Sequence, residues 1–168
     1  LYGAMGNRYF RFFDQRIAEA ITLTGQLTIR WAEYSLNAYL NRVLQNKEWK
    51  DYIVAIDTDS LYVCLNDLVE KVQPNNTIDF LDKVCQDALE PELEKSYADL
   101  YSMLGGVDNR MVMKREAIAD RALWTAKKRY IMNVHDNEGV RYAEPKMKIM
   151  GIEAIKSSTP APCRKALK

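Results

Sequence analysis

Two acidic side chains, Asp57 and Asp59, stand one residue apart between apolar runs, Ile53-Val54-Ala55-Ile56 on one side and Leu61-Tyr62-Val63-Cys64-Leu65 on the other. In extended chain, residues i and i+2 point to the same side at roughly 6–7 Å, a spacing set by the rise per residue. Both carboxylates would then face one pocket while Thr58 points away. Like charges held that close raise each other's pKa unless a cation neutralises them, and hard oxygen donors of this kind suit Mg²⁺ or Mn²⁺. The competing reading of Asp57-Thr58-Asp59-Ser60 is an ordinary polar turn, because Asp, Thr and Ser are common turn formers.

The elements around the pair follow from pattern. The flanking runs read as strands, and the room between Lys50 and Asn66 allows only a tight hairpin with the carboxylates at its tip. Upstream, Ile17, Ile21, Thr24, Thr28, Trp31, Leu36, Leu40, Val43 and Leu44 recur at helical spacing, which predicts a long helix from Asp14, its N-cap, to Leu44. Downstream, a second helix is predicted from Thr77 to Leu104, kinked at Pro91 and ended by Gly105-Gly106. Strands are predicted over residues 111–118, 128–134 and 140–143, the last two joined by a short loop containing Gly139. Pro145 and Ser157-Ser158-Thr159-Pro160 mark breaks, and a further helix starts after Pro160. This order implies an α+β fold, an antiparallel sheet with helices on one face.

At 168 residues and 48% hydrophobic content, the chain can bury the core of one globular domain. No uncharged run approaches the ~18–20 apolar residues of a membrane span, and Leu1-Tyr2-Gly3-Ala4-Met5 opens no signal peptide, so a cytoplasmic location is expected. Cys64, Cys85 and Cys163 are widely spaced, and His135, the sole histidine, falls in a turn-like stretch. Neither a disulfide framework nor a structural zinc site is therefore indicated. The net charge of +1 hides an asymmetry: acids dominate from Asp79 to Asp99 and bases from Arg121 onward, so one end is suited to polyanions. Opening on Leu1 and closing on Arg164-Lys165-Ala166-Leu167-Lys168 in helical pattern, the chain reads as a fragment of something longer.

Four features now coincide in order: Tyr2-Gly3, Asp57-Thr58-Asp59-Ser60, Arg115-Glu116-Ala117-Ile118, and Trp124-Thr125-Ala126-Lys127-Lys128-Arg129-Tyr130. Together they resemble the palm of a family B DNA polymerase, particularly the replicative polymerases of T-even-like tailed phages. Arg141-Tyr142-Ala143-Glu144-Pro145-Lys146, Lys148-Ile149-Met150-Gly151-Ile152-Glu153 and Lys156-Ser157-Ser158-Thr159-Pro160 extend the match over nearly the whole chain. The resemblance implies a palm whose antiparallel sheet carries a metal-binding hairpin, with helices packed on one face. It implies the end of the fingers motif over residues 1–13, palm over 14–155 and the start of the thumb over 156–168. Asp57 and Asp59 match the catalytic metal ligands, and Glu116 a carboxylate near them. Tyr2 and Gly3 match residues packing under the nascent base pair. Lys128 and Tyr130 match the pair that grips the primer strand, with Lys127 and Arg129 as auxiliary DNA contacts. The chain departs from the family in Ile56 before the first aspartate, in Lys114, and in a shorter stretch between Ile118 and Trp124.

The activity so implied is template-directed transfer of deoxynucleotides from dNTPs to a primer 3′-hydroxyl with two Mg²⁺ ions, or Mn²⁺ in their place. The implied partners are primer–template DNA, dNTPs and replisome proteins such as a sliding clamp, in an infected bacterial cell, with no membrane. The fragment alone is expected to be inactive, since a further metal-binding aspartate of the palm and the fingers lysine lie outside it. Lys128 and Tyr130, two apart on a predicted strand, would share a face and approach the duplex together. Two alternatives stand beside this reading. One is a DNA-binding scaffold derived from a palm; the other is an Asp-x-Asp nucleotide-sugar glycosyltransferase, which would need a parallel sheet with a nucleotide crevice.

Overall fold

The computed structural model describes residues 2–106 and 108–166. Instead of the single domain expected from length, the chain forms two compact units, Leu1–Val72 with Leu89–Met113, and Gln73–Ala88 with Lys114–Lys168. The expected mixture of helix and antiparallel strand is present, but as two separate sheets, one of two strands and one of three.

In the first unit, a short helix α1 (Tyr2–Met5) precedes α2 (Gln15–Leu44), which is capped as the sequence predicts. The Asp14 carboxylate accepts the Arg16 N–H at 2.9 Å. At the other end, Gln45 adopts a left-handed φ of 57° and its N–H bonds back to the Arg42 carbonyl. Of the predicted apolar face Leu36, Leu40 and Leu44 are buried, together with Ala18, Ile29 and Ala32, whereas Ile17 and Val43 are exposed. Trp31 reaches helix α5 (Glu90–Met103), its indole donating to the Ser96 carbonyl at 2.9 Å. Leu93, Tyr97 and Leu100 of α5 complete this core.

The predicted helix from Thr77 to Leu104 is interrupted. Helix α4 (Thr77–Val84) gives way to a π-helical turn (Cys85–Leu89), and α5 then starts with Pro91 in its first turn. The cause is local. Proline has no N–H and its ring crowds the carbonyl four residues back, so the wider turn accommodates upstream what a regular helix cannot. Proline is well placed in the first turn of a new helix, where its N–H would have had no partner. Gly105, at φ 62°, ends α5 as expected: the Gly105 N–H bonds to Ser102 and the Gly106 N–H to Tyr101.

A helix that the pattern did not reveal, α3 (Asn66–Val72), follows the hairpin strands β1 (Ile53–Asp57) and β2 (Ser60–Val63), which pair antiparallel. In the second unit, β3 (Ala117–Ala126), β4 (Arg129–Asn137) and β5 (Val140–Met150) form an antiparallel meander in that order. The first of these strands starts later than predicted, residues 111–116 being irregular, and β5 runs past Pro145. Proline is tolerated there because β5 is an edge strand whose register shifts opposite His135, between Val134 and Asp136. Glu138 and Gly139, at φ 51° and 83°, form the two-residue hairpin turn predicted around Gly139. The helix expected after Pro160 is α6 (Ala161–Ala166).

Along β4 every second residue is buried: Tyr130, Met132, Val134 and then Asp136. The acid at the end of an apolar row is held by two arginines. Arg115 bonds to Asp136 and, at 2.7 Å, to Asp82 of α4; Arg141 donates to Asp136 at 3.2 Å and to Asp79 of α4 at 2.6 Å. The Gly139 N–H adds a bond at 3.1 Å. Burial alone would raise the Asp136 pKa, but the bonds from Arg115, Arg141 and Gly139 outweigh it and hold the carboxyl below its ordinary range. This network fastens α4 to the sheet.

Candidate functional site

The aspartate hairpin is delivered by a chain of amides. Asn37, buried on α2, accepts the Tyr52 N–H at 2.7 Å and donates to Asp51 at 2.9 Å; Asp51 in turn accepts the Ile53 N–H at 2.9 Å. One turn on, Asn41 binds the Lys50 backbone at both its N–H, 2.9 Å, and its carbonyl, 2.7 Å. Asn46 donates to the Tyr52 hydroxyl at 2.7 Å and to Asn41 at 2.8 Å. Asn37 and Tyr52 are buried, 4% and 2% exposed, so the entry to β1 is anchored on hydrogen-bonded buried groups, with the half-buried Asn41 and Asn46 beside them. From α3, Asp67 binds Lys50 at 2.5 Å, which holds its carboxyl below the usual range.

At the tip the structure departs from the extended geometry read from the sequence. Asp57 pairs with Ser60, leaving Thr58 and Asp59 as the turn. Thr58 has φ 55° and the Asp59 N–H bonds to the Asp57 carbonyl at 2.6 Å, a γ-turn of the positive-φ kind. That conformation is strained, and more so for a β-branched residue. The chain therefore reverses between the two carboxylates instead of alternating past Thr58. Asp57 is half-buried and Asp59 exposed, and the Thr58 hydroxyl donates to Asp57 at 3.2 Å. The hard oxygen donors fit Mg²⁺ or Mn²⁺, yet two carboxylates supply only part of a coordination shell. Among the described residues no group of three or more His, Cys, Asp or Glu side chains is gathered to hold a metal.

Tyr2 and Gly3 lie in α1, with Tyr2 exposed and open space around the Gly3 Cα. The other sequence-predicted residues belong to the second unit. Glu116 precedes β3; its carboxylate accepts from Lys148 of β5 at 2.6 Å and its carbonyl accepts the Glu138 N–H at 2.6 Å. The bond to the Glu116 carboxylate raises the Lys148 pKa. Lys127 and Lys128 form the turn between β3 and β4, closed by the pairing of Ala126 with Arg129. Lys128 has φ 62°, so it does not share a strand with Tyr130 as the spacing suggested. Tyr130 is on the buried face of β4, 7% exposed, with its ring 6.2 Å from that of its cross-strand partner Trp124.

Sequence reasoning quoted Arg115 only as part of a motif and passed over Asp136, Asn37 and Asn41. A signal for Asp136 was available, because an acid continuing the alternation of Tyr130, Met132 and Val134 must be buried and hence paired.

No family model matches the chain. Among curated proteins it is 43% identical over 182 residues to the DNA-directed DNA polymerase of Escherichia phage RB69, with all of this chain aligned. It is 41% identical over 181 residues to the DNA-directed DNA polymerase of Enterobacteria phage T4, with 99% of this chain aligned. The chain spans about a fifth of the length of these relatives, 20% of each. Along its whole length it is thus similar to one stretch of the tailed-phage polymerases that its motifs pointed to.

Proposed function

We propose that this chain is the palm-centred portion of a family B DNA polymerase that extends a primer with dNTPs. The observation that carries the reading is the end-to-end similarity to two phage DNA-directed DNA polymerases, at 43% and 41% identity. The hairpin supports it: backbone strain at Thr58, between two carboxylates, is the kind of cost that persists where a site needs it. The pairing of the strands favours it over the glycosyltransferase alternative, since every described strand pair is antiparallel.

In this reading residues 1–13 end the fingers motif, 14–155 are palm and 156–168 begin the thumb. Leu1, at the head of the first stretch, and Leu167 and Lys168, at the end of the last, lie outside the described residues. Asp57 and Asp59 would hold Mg²⁺. Two such ions, when bound, lower the pKa of the primer 3′-hydroxyl and stabilise charge on the departing pyrophosphate. The protein's own part is positioning: the Asn37 and Asn41 bonds fix the strand that presents the carboxylates. Glu116, tied to Lys148, would contribute through its charge, the role that the family motif gives it. Tyr2 and Gly3 would pack under the nascent base pair. Lys127 and Lys128 would meet the primer backbone, and Tyr130 would support the turn from the β4 row. Primer–template DNA, dNTPs and a sliding clamp are the partners, in an infected bacterial cell. Among the described residues no helix is long and apolar enough to cross a membrane.

The test is Asp59→Asn in the full-length protein that carries this chain. Primer extension should fall ~10³-fold or more in the chemical step, with primer–template affinity largely kept, because only metal stabilisation is removed. Near-normal turnover would take Asp59 out of the mechanism; loss of DNA binding in step with turnover would favour the scaffold reading.

A further inference from the structure

The basic turn of the second unit rests on a support that its sequence motif does not announce. Lys128 carries a side chain at φ 62°, a backbone region that its surroundings must enforce. What lies against it is the end of β5. Met150 pairs with Tyr130, and the next residue, Gly151, has φ 65°. A Cβ at Gly151 would stand 2.1 Å from the Lys128 carbonyl oxygen and 3.2 Å from Arg129 Cγ. Only glycine fits, because two backbones meet there. Beyond Gly151 the chain brings the Glu153 carboxylate to 3.4 Å from Arg129 and 2.9 Å from Lys156. Those cations hold the Glu153 carboxyl below its ordinary range, the Lys156 hydrogen bond being the larger influence.

We propose that Gly151 and Glu153 are positioning residues for the Lys127–Lys128 turn, and that Arg129 is the turn's tether to Glu153 rather than one of its DNA contacts. The proposal rests on the polymerase reading for what the turn touches, and it revises the role that the motif assigns to Arg129. Its charge logic is a matter of sign. If Arg129 met a DNA phosphate, Glu153 would compete with that phosphate, and neutralising Glu153 would tighten binding. If Arg129 instead holds the turn in place through Glu153, neutralising Glu153 loosens the turn and weakens binding.

The experiment measures primer–template affinity against salt concentration for the full-length protein and for Glu153→Gln, Arg129→Gln, the double variant, the charge swap Arg129→Glu with Glu153→Arg, and Gly151→Ala. We expect Glu153→Gln and Arg129→Gln each to weaken binding about three- to tenfold. The double variant should be no weaker than either single one, and the swap should restore binding toward the parent, as for a coupled pair. The salt slope should stay unchanged, because no phosphate contact is removed. Gly151→Ala should weaken binding at least tenfold. Since a clash with backbone also threatens folding, the melting of that variant is followed alongside, and the Glu153 variant decides. Tighter binding by Glu153→Gln, or a salt slope ~0.9 smaller in Arg129→Gln, overturns the inference. Lys128→Ala separates the two readings. If it leaves affinity unchanged across salt, the polymerase assignment of the turn fails; if it weakens binding while Glu153→Gln tightens it, only the tether fails.

Discussion

Replacing Asp136 by Asn tests whether the ionic network of the second unit holds α4 on the sheet. The carboxylate is 1% exposed and bonded by Arg115, Arg141 and the Gly139 N–H. The amide keeps the shape and can still accept from one or two of these donors, but it removes the negative charge between two guanidinium groups. Breaking a buried ion pair costs about 3–5 kcal/mol. Here Arg115 retains Asp82 at 2.7 Å and Arg141 retains Asp79 at 2.6 Å, so the loss should fall at the low end, about 3 kcal/mol. That corresponds to roughly two orders of magnitude in the local opening equilibrium. Amide hydrogen exchange read by mass spectrometry on the full-length protein would report it: peptides covering α4 and the β4–β5 hairpin should exchange about a hundredfold faster, while α2 peptides stay unchanged. Asp79→Asn, at the exposed end of the network, should change these rates far less. Equal rates for Asp136→Asn and the parent would refute the claim that this acid holds helix to sheet.

Three further outcomes follow from the same geometry. Because the Asp136 carboxyl lies below its ordinary range when folded, its contribution is complete above the unfolded value of ~3.9 and is lost as pH falls through the folded one. Exchange protection of α4 should therefore persist at pH 5 and collapse only in stronger acid, and collapse near neutral pH would contradict the assignment. Asn37→Ala removes the acceptor of the Tyr52 N–H in a buried setting and should cost about 1–3 kcal/mol in urea unfolding, with faster exchange at the start of β1. Gly106→Ala would place a Cβ 2.4 Å from the Tyr101 ring, and overpacking of that kind costs about 1–3 kcal/mol, so its melting temperature should drop, against little change for Gly3→Ala, which meets open space.

What the sequence revealed were features carried by local chemistry: the Asp14 cap, the Gly105 helix end, the Gly139 turn and the aspartate hairpin each follow from a few adjacent residues. Features set by distant partners were not legible. That Ile17 on α2 lies outside the core while the neighbouring Ala18 is buried depends on what packs there and not on periodicity. The true start of β3 is set by pairing with β4, so a β-rich run over residues 111–116 stays irregular. Helix α3 is too short for its pattern to stand out. In the candidate site, the carboxylate pair was found by spacing, but the assumption of extended chain through Thr58 failed because a γ-turn closes the tip. Lys128 and Tyr130 were placed together by spacing too, yet the positive φ at Lys128 sets the turn apart from the strand.

The threonine at the hairpin tip carries a further implication for anyone engineering the parent protein for heat tolerance. Glycine would relieve the positive-φ strain at that backbone, against the entropic cost of a freer unfolded chain, so Thr58→Gly is a substitution that a stability screen would sample. It would also delete the hydroxyl that donates to Asp57. On the proposed metal-binding role of the pair, any gain in thermal resilience at this position would come with poorer catalysis, and a library selected for melting point alone would favour the wrong residue.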